Sequence, residues 1–175
     1  MPETRAAAFE RVFRADHAAL VAFCFRRVND YELARDLSAE AFRIAWARWD
    51  EPRRSDRAWL FGVARNLIGN EYSRRASNRA ALLPDEAFQD APGDERADAQ
   101  FVVVEVEAVL ATLTSSQQEV LRLTYWEGFS AGETGESLGI SAAAVWVRLT
   151  RARRAFSDAW HAQSTAAPLP TRNRP

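Results

Sequence analysis

Apolar residues recur at steps of three and four along most of the chain, and the recurrence stops between residues 76 and 100. A chain patterned this way buries its apolar side chains as amphipathic helices, because only the helical period brings such positions onto one face. Phe9, Val12, Phe13, Leu20, Val21 and Cys24 predict a first helix reaching Val28. Asn29-Asp30-Tyr31-Glu32 reads as the start of a second, with the Asn29 side chain accepting an amide and Glu32 reaching back. That helix carries Ala34, Leu37, Ala41, Ile44 and Ala45 on one face, with Trp46 and Trp49 near its end. Pro52 disfavours helix at Glu51, and Ser55 offers the cap of a third. Its stripe is Trp59, Leu60, Val63, Ala64, Leu67 and Ile68, with Trp59 assigned to the core. These helices form one predicted three-helix unit.

Residues 76–100 contain Pro84, Pro92 and Gly93, and six acids stand against Arg96 between 85 and 98, so this stretch reads as a flexible linker. Val102-Val103-Val104 could open a strand, yet Val103, Val106, Val109, Leu110 and Leu113 keep helical spacing, and helix is the assignment. Thr114 with Gln117 and Ser130 with Glu133 form capping-box patterns, while Gly128 and Gly139 stand where helices end in a left-handed residue. The expected fold is all-α: two small helical domains joined by a flexible acidic linker, the C-terminal one a helix-turn-helix. Boundaries are set at 1–80, 81–103 and 104–162, with a disordered tail at 163–175.

The 175 residues allow two cores of roughly 80 residues each, which excludes a large multi-domain enzyme. Cys24 is the only cysteine and His17 and His161 the only histidines, so neither an internal disulfide nor a structural metal is expected. No Ser/His/Asp set or phosphate loop is present, and neither catalysis nor a cofactor is expected. The Met-Pro-Glu-Thr-Arg start has no apolar segment behind it, and no later stretch would span a membrane; a cytosolic protein is the expectation. The net charge of -1 is unevenly spread. Residues 1–83 hold 15 Arg against 11 acids, 84–110 one against eight, and 111–175 seven against five. Two mildly basic blocks therefore flank an acidic middle. All 23 basic residues are arginine, which suits phosphate and base edges but is equally the mark of a GC-rich genome, the better-favoured explanation.

Residues 130–156 are the most informative. A short capped helix, then Gly139-Ile140-Ser141, then a longer helix bearing Arg148, Arg151, Arg153 and Arg154 is the layout of a helix-turn-helix. An ordinary helical hairpin would also place Leu138, Ile140, Val145 and Leu149 in a core; the four arginines favour DNA.

Leu113-Thr-Ser-Ser-Gln-Gln-Glu-Val-Leu-Arg, running on to Leu138-Gly-Ile-Ser and Val145-Trp-Val-Arg-Leu-Thr-Arg-Ala-Arg, resembles the promoter-reading C-terminal domain of extracytoplasmic-function sigma factors. Ala34-Arg-Asp-Leu-Ser-Ala-Glu-Ala-Phe-Arg-Ile-Ala-Trp and Arg57-Ala-Trp-Leu-Phe-Gly-Val-Ala-Arg-Asn-Leu-Ile-Gly-Asn-Glu-Tyr are similar to that family's N-terminal domain. The two blocks cover about 10–160 in the family's order.

The resemblance implies a factor that binds core RNA polymerase, at a coiled coil of its largest subunit and at its flap, and directs promoter recognition and melting without catalysis. It makes Asp36, Leu37, Glu40 and Arg43 polymerase-facing. It places Arg53, Arg54 and Ser55 in a loop, and Arg65, Asn66, Asn70, Arg74 and Arg75 on a helix, at the downstream promoter element. It places Ser141, Ala143, Ala144, Trp146, Val147, Arg148, Arg151 and Arg154 at the upstream element. Promoter DNA is the second partner, and the resemblance admits an anti-sigma protein as a third; no membrane partner is implied. The chain departs from the family pattern at Ala39, where Gln is usual, and at Asn70, where an acid is common. Thr134 and Gly135 replace Ile and Ala, and with Gly132 they predict a weak support helix, each glycine costing about 1 kcal/mol relative to alanine. Ala144, Trp146 and Val147 stand for Thr, Lys and Ser, removing hydrogen-bonding groups from the groove face. A sigma-like adaptor, or a helix-turn-helix regulator with altered DNA reading, remains the alternative.

Overall fold

The computed structural model describes residues 4–51, 53–81 and 105–166, and every regular element among them is a helix. The acidic segment 82–104, which includes Val102–Val104, and residues 167–175 of the expected tail lie outside the described residues. The helices are α1 (Arg5–Val28), α2 (Tyr31–Ala47), α3 (Asp56–Ala81), α4 (105–111), α5 (Ser115–Tyr125), α6 (Ala131–Leu138) and α7 (Ala142–Ala166).

The first compact unit holds α1, α2 and α3. Thr4 caps α1 by accepting the Ala7 amide at 3.3 Å. Asn29 does not cap α2: it ends α1 in the left-handed region at φ 49°, its N–H donating to the Phe25 carbonyl at 2.9 Å. Asparagine is among the few residues that tolerate that conformation, and Asp30, left extended, takes the Leu33 amide at 3.0 Å instead. The core joins Leu20, Phe23 and Cys24 of α1 to Ala34, Leu37, Ala41, Phe42 and Ala45 of α2 and Leu60, Phe61, Ala64 and Ile68 of α3, all at most 9% exposed. Small residues on α2 let the helices approach, and Phe23 meets Phe61 edge-on at 5.0 Å. At the far end Phe9 packs edge-on against Phe42, Trp46 and Trp49.

Helix α6, with its flanks from Phe129 to Ala142, belongs to this same unit. Phe129 is 3% exposed and lies edge-on to Phe61 at 5.3 Å. A Cβ on Gly62 would stand 3.2 Å from the Ser137 carbonyl oxygen, so α3 and α6 approach backbone to backbone. The Arg57 guanidinium pairs with Asp16 at 2.9 Å and covers the Phe61 and Phe129 rings at 5.2 and 4.8 Å. Burial pushes the Asp16 carboxyl up, and Arg57 opposes that rise.

The second unit comprises α4, α5 and most of α7. Both halves of the Thr114–Gln117 capping box form. Val109, Leu110 and Leu113 are buried with Val120, Leu121 and Leu123 of α5 and Val145, Leu149 and Ala152 of α7. Arg122 reaches Glu107 at 2.6 Å, and Arg153 donates to the Tyr125 hydroxyl at 2.5 Å. Val106, Leu110, Leu121, Tyr125, Trp126, Arg153 and Phe156 line an apolar groove of about 350 Å³. Among the described residues no helix is long and apolar enough to cross a membrane, and no His/Cys/Asp/Glu group is arranged to hold a metal.

Candidate functional site

The α2 positions divide by helical period. Asp36 is exposed and Glu40 half-buried, whereas Leu37 lies in the core at 9% exposure on the face shared with Ala34, Ala41 and Ala45. Leu37 therefore holds α2 in place, and the outward acidic face consists of Asp36 and Glu40. Arg43 clasps both Glu40 oxygens at 2.7 and 2.6 Å, and this hydrogen bonding holds the Glu40 carboxyl below its ordinary range.

In the loop before α3, Arg53 is a building residue. Its guanidinium lies between the Trp49 and Trp59 rings at 4.6 and 4.3 Å and pairs with Asp56 at 2.9 Å, leaving the side chain 8% exposed. Stacking on two indoles satisfies this cation inside the protein, and it is not displayed for a ligand. Arg54 is exposed, and Ser55 caps α3 by accepting the Ala58 amide at 3.2 Å. Along α3, Asn66, Asn70 and Arg74 recur at four-residue steps and are exposed, forming one polar row. Arg65 is half-buried and donates through Nε to the Ser137 carbonyl at 3.2 Å. Arg74 and Arg75 both bond Glu71, at 2.7 to 2.8 Å, and together they lower its carboxyl to about 2.

The helix-turn-helix turn forms as its sequence predicts. Ser130 and Glu133 complete a capping box on α6, Gly139 takes φ 66°, and the Ile140 N–H returns to the Gly135 carbonyl at 2.9 Å. The turn also corrects the reading of Gly135 as merely a weakening residue. A Cβ there would lie 2.6 Å from the Ile140 carbonyl oxygen, so the tight turn requires glycine. Leu138 and Ile140 are half-buried, while Val145 and Leu149 are fully in the core.

At the start of α7 and along it the remaining assigned residues are exposed, Ala144 excepted. Ser141, Ala143, Arg148, Arg151 and Arg154 are exposed and Ala144 is half-buried; Trp146 and Val147 are 57% and 51% exposed. Arg154 lies 4.0 Å from Asp158, and Arg148 and Arg151 have no ion pair among the described residues. Arg153 stands apart from this set on Tyr125. Sequence reasoning missed Glu136, whose carboxylate accepts the backbone N–H of Arg54 and of Ser55, each at 3.0 Å. No local pattern announces a contact across some eighty residues.

Residues 12–78 match the family described as Sigma-70 region 2, and residues 104–156 the one described as Sigma-70, region 4. The chain is 29% identical over 155 residues to the ECF RNA polymerase sigma factor SigL of Mycobacterium tuberculosis, covering 86% of this chain and 88% of that one. It is 30% identical over 146 residues to the RNA polymerase sigma-E factor of Streptomyces coelicolor, covering 82% and 81%. The solved structure of CnrH in complex with the cytosolic domain of CnrY superposes with a TM-score of 0.63 at 27% identity, over 89% of this chain and 88% of that one. With two sigma regions in order and a relative at that identity over most of its length, the chain belongs to the extracytoplasmic-function RNA polymerase sigma factors.

Proposed function

We propose that this promoter-directing sigma factor docks on core RNA polymerase through the outward acidic face of α2, Asp36 and Glu40 with Arg43 beside them. It meets the downstream promoter element through the Arg54-Ser55 loop and the Arg65, Asn66, Asn70, Arg74 and Arg75 side of α3, and the upstream element through α7. Extracting a base from a duplex costs a few kcal/mol, and the polar row of α3 supplies contacts that offset it. The observation that carries this reading is the presence of both sigma regions in one chain, each with an exposed polar face. The action is non-enzymatic, and work on promoter DNA with polymerase places it in the cytoplasm. CnrH is solved with the cytosolic domain of CnrY, and by that likeness a further protein, in the place the resemblance gives to an anti-sigma protein, is a third partner.

Transcription in vitro with core polymerase on a genomic library tests the function directly. Asp36→Arg combined with Glu40→Arg should abolish co-purification with core enzyme and leave helical circular dichroism unchanged. Unchanged co-purification would remove this face from the mechanism. The exposed Trp146 and Val147 favour a second reading, an adaptor that keeps polymerase binding with altered DNA reading. Gel shifts with and without core polymerase separate the two, since the adaptor would add no promoter preference to the enzyme.

A further inference from the structure

The first three turns of α7 carry an apolar row on their solvent side. Val145, Leu149 and Ala152 mark the buried side, each at most 2% exposed. By the helical period Ala143, Val147 and Thr150 stand opposite that side, with Trp146 on one flank and Arg148 and Arg151 on the other. Trp146 and Val147 are 57% and 51% exposed. The Thr150 hydroxyl donates to the Trp146 carbonyl at 2.9 Å, so its proton is used within the helix. The indole N–H of Trp146 is then the side-chain donor that remains in the row. Arg148 and Arg151, exposed and without an ion pair among the described residues, put positive charge along its edge.

That charge selects duplex DNA as the occupant, because two guanidinium groups beside the row suit the phosphates that border a groove. In the major groove every base pair shows donors or acceptors, and thymine alone adds a methyl group. Pressing an indole and an isopropyl group against the polar edge of a G·C pair strips water from it and returns at most one hydrogen bond. Pressing them against thymine methyls buries apolar surface on both partners. We propose that α7 reads the upstream promoter element through its thymine methyl groups, with Trp146 and Val147 as the contacting side chains and Arg148 and Arg151 holding the backbone beside them. The proposal rests on the assignment of α7 to upstream promoter DNA.

Promoter fragments recovered by transcription from the genomic library are remade as duplexes with deoxyuridine for every thymine of the upstream element, which deletes the methyl groups and keeps the base pairing. Binding by the holoenzyme is measured in competition with the thymine duplex. Affinity should fall about fourfold for each contacted methyl. With Trp146→Ala and Val147→Ala together, the two duplexes should bind alike, and circular dichroism should be unchanged because both side chains are exposed. With Arg148→Ala and Arg151→Ala together, both duplexes should bind more weakly and the ratio between them should persist. Equal binding of the two duplexes by the native chain would overturn methyl reading, as would a ratio that survives the loss of Trp146 and Val147, or an upstream element without A·T pairs. Loss of core polymerase binding in the Trp146 and Val147 variant would make the row a protein contact and overturn it as well. If the arginine variant weakens binding while thymine and deoxyuridine duplexes bind the native chain alike, methyl reading alone is wrong. If neither pair of substitutions changes DNA binding, the assignment of α7 to the upstream element falls with it.

Discussion

Gly135 and Gly69 are both helical glycines, and their surroundings give them opposite roles. The Ile140 carbonyl leaves no room for a Cβ at Gly135, whereas nothing lies within 4 Å of one at Gly69. Gly135→Ala should therefore destabilise the fold by about 1–3 kcal/mol, because the backbone clash outweighs the gain of about 1 kcal/mol in helix propensity. Gly69→Ala should stabilise by about 0.5–1 kcal/mol through propensity alone. Urea unfolding followed by circular dichroism reads both, and equal signs would refute the distinction. Propensity was legible in the sequence here and the close approach was not, since Ile140 meets Gly135 only after the turn has formed. Arg53 shows the same limit. Its charge and position mark it for DNA, but stacking on Trp49 and Trp59 turns it inward.

Helix boundaries were legible wherever their determinants are local. Both capping boxes, the Ser55 cap and the left-handed Gly128 and Gly139 follow from residues within a few positions of one another. The exception is the α1–α2 joint, where Asn29 and Asp30 both suit a cap and the left-handed residue ending α1 decides between them. Phe42 and Phe61 complete the buried faces outside the expected stripes, because α2 and α3 are each packed on more than one side. On α3 a local ion cluster makes a measurable prediction. The Glu71 carboxyl is lowered from the ordinary 4.5 to about 2 by hydrogen bonds from Arg74 and then Arg75. A depressed acid contributes stability that is complete above its unfolded value and is lost as pH falls through its folded one. The urea midpoint of the native sequence should therefore fall more steeply than that of Glu71→Gln as pH is lowered from 4.5 towards 2. Parallel curves would show that Arg74 and Arg75 do not hold this carboxylate in solution; Arg74 would then be free for DNA phosphate, while Arg75 would keep Asp30 at 3.9 Å.

At the scale of the whole chain, the two sigma regions were legible because each carries its own motif, but the packing of α6 on α3 was not. Glu136 is a plain acid on an amphipathic helix until the fold brings it to Arg54 and Ser55. The acidic face of α2 and the arginines of α7 belong to different compact units, and this predicts separable losses of function. Arg148 and Arg151 are exposed and have no ion pair among the described residues, so each can neutralise a backbone phosphate. Replacing both with alanine should lower the log–log salt slope of promoter binding by the holoenzyme by about 0.9 for each phosphate that is no longer neutralised. Phosphate contacts position a protein on DNA and carry no base code, so affinity should fall with little change in base preference along the upstream element. Co-purification with core polymerase should be untouched, in contrast to the loss expected from Asp36→Arg with Glu40→Arg. An unchanged slope would remove Arg148 and Arg151 from the DNA surface. If the slope fell and core binding were abolished with it, the arginines of α7 would belong to a polymerase interface, and the division of labour between the two units would have to be redrawn.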